Sequence, residues 1–324
     1  MIRGFLTLLI LLVPVFAASQ SMSGVDPLTV TLSPRYPRPY ETVTLTPQST
    51  LVDLSGSTVV VVAAGKEVGR GSGRESYQIP IGAIGTSVPV KVTVTAPDGV
   101  YTEELTIRPA DVSLVIDAIS TSHAFYQGGA LVAPEGRVRV VALADLRTSP
   151  GSRIASSDLI YTWKSGGRIL TADSGLGKSV LTATAPVLFR DASVSLTVSS
   201  RDGAIVGEAS VRIAPTEPLV RIYKDGPLEG PRFLRAVTGT YDLKETEEAF
   251  RVVPYFFSSR PTLTWKLGSS EVGQEDSITV RTTGSEAGVA ALSVNARQAG
   301  EYYSADAKAS IRYGSSPDSG FFGL

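Results

Sequence analysis

Beyond its N-terminal segment the chain alternates apolar and polar residues with a period of two rather than 3.6. Val90–Thr95 reads VKVTVT, Arg137–Val141 reads RVRVV and Ser193–Ser200 reads SVSLTVSS. Successive side chains of a strand point to opposite faces, so this pattern sets one face on a core and the other in water, and predicts antiparallel sheets. Turn chemistry lies between such runs. Asp98-Gly99 and Asp202-Gly203 each separate two alternating stretches and predict hairpins, because Asp-Gly tolerates the positive φ that tight turns need. Helical periodicity is scarce; its best stretch, Leu243–Phe250 (LKETEEAF), reads equally as a loop leading into a strand.

Laid upon itself, the chain repeats. VVVVAAGKEVG from Val59, IYTWKSGGRIL from Ile160 and LTWKLGSSEVG from Leu263 align so that Val62, Trp163 and Trp265 share one position, with offsets of 101 and 102 residues (163 − 62 and 265 − 163). About 100 residues is the size of an immunoglobulin-type sandwich, whose third strand carries an inward Trp. Each unit continues with a short polar stretch, a strand and a hairpin. The expected architecture is therefore all-β, with tandem immunoglobulin-like β-sandwich domains at 26–110, 111–215 and 216–314 and with Val62, Trp163 and Trp265 in their cores. Boundaries fall at Pro109–Asp111 and Ala214–Pro218, short and proline-stiffened, so that a semi-rigid row of beads is expected. The second and third units carry insertions at Thr121–Gly136 and Lys224–Glu248, chain beyond what a sandwich needs and therefore candidate binding surface. Within them, His123, Phe125, Tyr126, Phe233 and Tyr241 are the candidate partner-binding residues.

The N-terminus changes the picture of location. Arg3 precedes the apolar run Phe5–Phe16, and small residues follow at Ala17, Ala18 and Ser19, the layout of a secretory signal peptide over 1–19. The run is shorter than the roughly 18–20 residues that span a bilayer, so an exported chain with peripheral membrane association or none is expected. The last ten residues, 315–324, read as a flexible tail with the apolar tip FFGL.

Composition then narrows the chemistry. Thirty basic residues face 31 acidic ones without clustering by sign, so nucleic acid is not an expected partner. There is no cysteine and one histidine. Disulfides, thiolate nucleophiles and Cys- or two-His metal sites are thereby excluded within one chain, and no cofactor or enzyme activity is expected. Ala172–Ser179 (ADSGLGKS) approaches a phosphate-binding loop, but VLTATAP after it reads as a strand where that motif opens a helix. His123 lacks a neighbouring acid to orient it, and reads as a loop residue, a base or a ligand. Asp242, Glu245, Glu247 and Glu248 could face Ca²⁺ or simply solvent, since Lys244 intrudes and no D-x-D-x-D loop occurs. HAFY (His123–Tyr126) and PYFF (Pro254–Phe257) offer aromatic faces to carbohydrate or protein, the second reading also as core packing.

LIYTWKSGGRILTADSGLGKS, FYQGGAL, PYFFSSRPTLTWKLGSSEV and the closing FFGL resemble a group of exported immunoglobulin-like-repeat proteins of candidate phyla radiation bacteria (Patescibacteria). The likeness covers most of the chain after the signal segment. It implies a bacterial envelope or surface location and carries no site residue. The expected function is adhesion, assembly or protein–protein binding by a non-catalytic surface protein with a protein or glycan partner. The alternative is a carbohydrate-binding or accessory subunit of an exported enzyme.

Overall fold

The computed structural model describes residues 26–148, 151–284, 286–298, 300 and 302–314. The expected signal segment and the FFGL tail lie outside them. Among the described residues every regular element is a strand apart from one 3₁₀ turn at Ser156–Asp158, and no helix is long and apolar enough to cross a membrane. The candidate helix is a loop followed by a strand: Glu248 and Phe250 turn inward two apart, the period of a strand.

The chain divides into two compact units. One comprises the described residues up to Leu32 with Thr44–Ile79 and Pro89–Leu105; the other comprises Ser33–Val43, Pro80–Val88 and the chain from Thr106 onward. The first is built on β1 (Thr29–Ser33), β2 (Thr42–Gln48), β3 (Thr58–Ala63), β4 (Lys66–Ser72), β5 (Tyr77–Pro80), β6 (Val88–Ala96) and β7 (Gly99–Ile107). They form a three-stranded sheet in the order β1-β2-β5 and a four-stranded sheet in the order β4-β3-β6-β7. Val43, Leu45, Ile79, Val59, Val61, Val92 and Val94 are fully buried by period-two alternation on both sheets.

Val62 does not belong among them. It is partly exposed and pairs with Lys91, whereas Val61 is buried and pairs with the buried Val92. A bulge confirms the register, because β3 shifts against β4 between Val61 and Val62, as the third repeat does between Trp265 and Lys266. The residue matching the two tryptophans is Val61, and the spacing is an even 102 residues (163 − 61 and 265 − 163). A one-residue slip moves every side chain of a strand to the opposite face. The run VVVV hid it by offering a valine on either face.

The second unit holds two sandwiches. Its first comprises β8 (Asp111–Ala118), β9 (Arg137–Asp145), β10 (Ile160–Ser165), β11 (Arg168–Ile169), β12 (Gly175–Leu176), β13 (Val180–Thr184), β14 (Ala192–Ser199) and β15 (Val206–Ile213). Sheet β13-β9-β8 packs on sheet β11-β10-β14-β15, with Val112, Val140 and Leu181 meeting Trp163, Leu196 and Val198. Of the two Asp-Gly turns, Gly203 takes φ 69° while Gly99 stays outside the left-handed region.

The last sandwich comprises β16 (Leu219–Gly226), β17 (Gly230–Ala236), β18 (Gly239–Asp242), β19 (Glu247–Tyr255), β20 (Thr262–Leu267), β21 (Ser270–Gly273), β22 (Ser277–Arg281), β23 (Gly288–Arg297) and β24 (Ser304–Tyr313). Sheet β17-β16-β19-β22 packs on β18-β24-β23-β20-β21, with Ile222, Phe250 and Val252 against Trp265, Val294 and Ile311. Both tryptophans are fully buried and donate their indole N–H to a backbone carbonyl, Trp163 to Lys178 at 2.9 Å and Trp265 to Glu275 at 2.8 Å. A buried indole needs such a partner. These are tandem immunoglobulin-like sandwiches.

The second insertion is not spare chain. β17 and β18 are sheet members, and β18 runs parallel to β24 from Gly239 opposite Ala309 to Asp242 opposite Arg312, closing an edge. An open edge would leave unpaired N–H and C=O groups, so this segment is part of the fold.

Candidate functional site

The two aromatic-bearing segments nominated from the sequence meet each other. Between β8 and β9, Ile119–Pro134 contains no Asp, Glu, Lys or Arg. It crosses to the last sandwich as a strap and is fastened there through Thr121, whose N–H donates to the Phe257 carbonyl (2.9 Å). The Thr121 carbonyl accepts from Phe256 N–H (2.8 Å) and its hydroxyl oxygen from Phe257 N–H (3.0 Å). Phe256 holds φ 61°. A bulky residue rarely visits that region, so the strain must be offset by what surrounds it, here the Thr121 bonds and a buried ring.

The strap lies on the outer face of sheet β17-β16-β19-β22. Tyr223, Val253, Tyr255 and Phe256 form a buried cluster there, with Tyr126, Leu219 and Phe233 packed against it. His123 stacks on Phe233 with ring centroids 4.1 Å apart and planes 2° from parallel, and meets Tyr255 edge-on at 5.7 Å. Tyr126 meets Tyr255 at 5.5 Å and Phe256 at 5.9 Å. Phe233 reaches this face because β17 is irregular: Ala236 pairs with Tyr223 but Pro231 pairs with Asp225, so the residues between them leave the ladder. Beneath, the Tyr223 and Tyr255 hydroxyls bond each other at 2.8 Å. Burial, then the bond to Tyr223, pushes the Tyr255 hydroxyl well above its ordinary range.

His123, Tyr126 and Phe233 are thus the seam between two sandwiches, not a free surface. Their faces are occupied by one another because an aromatic face gains more from a ring than from water. Phe125 alone of this group is open, 77% exposed and 6.3 Å from Phe233. Tyr241 is elsewhere. It turns into the last sandwich, with its ring 5.3 Å from Phe250 and its hydroxyl donating to Glu248 at 2.6 Å, so its ring and hydroxyl are engaged within that sandwich. Of PYFF, Tyr255 and Phe256 face the seam and Phe257 the core.

The acidic run forms no cation site. Glu248 is buried and receives the Tyr241 hydroxyl, the Lys224 ammonium at 2.9 Å and the N–H groups of Lys244 and Glu245. Burial alone would push its carboxyl up, but the bonds from Tyr241, Lys224 and Lys244 with the Lys224 charge outweigh it and hold the carboxyl below its ordinary range. Glu247 pairs with Arg281 and Asp242 with Arg312. With the Asp242, Glu247 and Glu248 oxygens already matched to cations and donors, only the Glu245 carboxylate is left, too few oxygens for Ca²⁺. No group of three metal-ligating side chains occurs among the described residues. ADSGLGKS is likewise structural: no helix follows, the Lys178 carbonyl caps the Trp163 indole, and Ser174 accepts the Trp163 backbone N–H at 3.0 Å.

Tyr223, Val253 and the anchoring role of Thr121 were not anticipated, although a signal existed. Leu219-Val220 and Ile222-Tyr223 in β16, like Val252-Val253 in β19, break the period-two alternation. Adjacent apolar residues on a strand mean that both faces are covered.

No family model matches the chain, and no curated protein matches it. Among solved structures it is similar to the three N-terminal domains of the bacteriophage RB49 Highly Immunogenic Outer Capsid protein (13% identity, 90% of this chain, 98% of that chain, TM-score 0.27). It is also similar to the N-terminal four Ig domains of Dscam1 isoform 8.4 (14%, 90%, 74%, 0.23). The third is the central fibronectin-III array of RIM-binding protein (11%, 90%, 98%, 0.26). At such scores none bears on function, and the fold stands on the strand order and cores above.

Proposed function

We propose that this chain is a non-catalytic, exported protein of the bacterial envelope or surface that binds a partner protein through its tandem sandwiches. The observation that carries the reading is the strap. It is uncharged over sixteen positions, anchored at Thr121, and presents Phe125 at 77% exposure beside the seam. An apolar ring held on a rigid base binds at low entropic cost, which is the character of an interface anchor. The test is cross-linking of the exported chain to envelope proteins, with Phe125→Asp compared against Phe189→Asp. Phe189 is also exposed, at 88%, but lies outside the strap, on the turn between β13 and β14. Loss of one cross-linked product with the first variant and not the second supports the reading; equal capture by both overturns it.

Glycan binding is the second reading, favoured by a groove of about 630 Å³ along Thr262, Thr264, Asn295 and Arg297 that ends at the exposed Tyr302. Hydroxyl and amide groups beside an aromatic ring suit a sugar. Glycan-array binding that is lost in Tyr302→Ala would move the assignment to this groove.

A further inference from the structure

The only histidine of the chain lies in the seam, and its hydrogen bonding dictates its protonation state there. Nδ1 of His123 accepts the Phe125 N–H at 3.1 Å, which requires the Nδ1 lone pair and therefore a neutral ring with its hydrogen on Nε2. A second proton has only Nδ1 to occupy, where it would oppose the N–H already pointing at that atom. We propose that the strap is a pH-sensitive latch, seated on the last sandwich while His123 is neutral and released when it is protonated.

The surroundings favour the neutral ring. On the strap itself His123 meets Tyr126; on β17 it meets Phe233, which stands between Arg232 and Arg235; on β19 it meets Tyr255. On β16, beneath, are Tyr223, bonded to Tyr255, and Arg221, whose charge is felt at the Tyr255 hydroxyl. The nearby carboxylates are engaged: Glu229 pairs with Arg232, and Asp225 with Arg251. Arg235 has no such partner, and no ion pair reaches the imidazole among the described residues. The charged ring would keep attraction to the Phe233 face, but that face already stacks against the neutral ring. Protonation would therefore forfeit a backbone bond, bring like charge nearer to arginines and gain no anion. In the released strap the imidazole is hydrated and free of these constraints. Acid thus favours release by linkage.

The test is amide hydrogen exchange on the full exported chain at pH 8 and pH 5, corrected for the intrinsic pH dependence of exchange. The Thr121, Phe256 and Phe257 amides report latching, and the Trp163 and Trp265 amides report the cores. Protection of the first three should fall about tenfold on acidification while the core amides hold. In His123→Phe, which keeps a ring over Phe233 but cannot titrate, the fall should vanish. The proposal is overturned if protection at the latch is unchanged at pH 5 or already absent at pH 8. It is equally overturned if His123→Phe shows the same fall, or if core and latch lose protection together.

Discussion

Trp163 and Trp265 show how much of each sandwich rests on one side chain. Each fills the centre between two sheets and satisfies its only polar atom at a carbonyl, so Trp163→Ala or Trp265→Ala should lose about 3–5 kcal/mol through transfer and cavity terms. Val61→Ala should lose about 2 kcal/mol, two methyl groups at roughly 0.8 each plus a small void. Val62→Ala should lose well under that, since Val62 is partly exposed. Urea unfolding followed by circular dichroism ranks the four, and a larger loss at Val62 than at Val61 would contradict the register. Glu248 is the other residue on which much turns. Its carboxyl titrates lower in the folded chain than unfolded, so its contribution is complete above about pH 4.5 and is lost as pH falls through the lower folded value. Glu248→Gln leaves Lys224 without its counter-charge and should cost about 3–5 kcal/mol at pH 7. The gap between variant and wild type should narrow at pH 3.5; a gap independent of pH would show that the carboxylate charge does not matter.

At the scale of elements, the segments between the first and second strands of the last two sandwiches serve different ends. The segment containing β17 and β18 closes an edge, supplies Val237 to the core and brings Tyr241 to Glu248. Removing Gly230–Asp242 should therefore abolish cooperative melting of the last sandwich, and an unchanged thermal transition would refute that structural role. Apart from the Thr121 bonds, the strap contributes by covering rather than by pairing. Phe233→Ala and Tyr126→Ala should each lose about 1–3 kcal/mol of burial and ring contact, without changing the β-sheet circular dichroism. Both leave the Thr121 bonds, so together they separate the aromatic part of the seam from its backbone anchor.

At the scale of the molecule, the seam couples two sandwiches of the second unit, because neither the strap nor the outer face of β16 and β19 is covered without the other. Surface buried in common makes unfolding of one sandwich costly to its neighbour. Calorimetry should show these two melting in one transition, and Phe233→Ala combined with Tyr126→Ala should split it. Two transitions in the wild type would mean that the seam is too weak to couple them. Partner binding, if anchored at Phe125, then depends on this coupling, since the ring's base is the seam itself.

Strand content, the hairpins, the hundred-residue repeat and the two core tryptophans were all legible in the sequence. Each rests on a local rule: the period of a strand, the turn propensity of Asp-Gly and the recurrence of one buried side chain. The aromatic residues of the two insertions were legible too, as candidate partner-binding residues. Where they point was not. His123 and Phe233 are 110 positions apart (233 − 123), and nothing local to either says that each is the other's partner. Val61 and Val62 are chemically identical, so only pairing with Val92 or Lys91 decides which one faces the core. The sequence by itself determined which elements form, because secondary structure follows from neighbouring residues. Only the tertiary structure decided which surfaces are left over, because burial is a property of the two surfaces that meet.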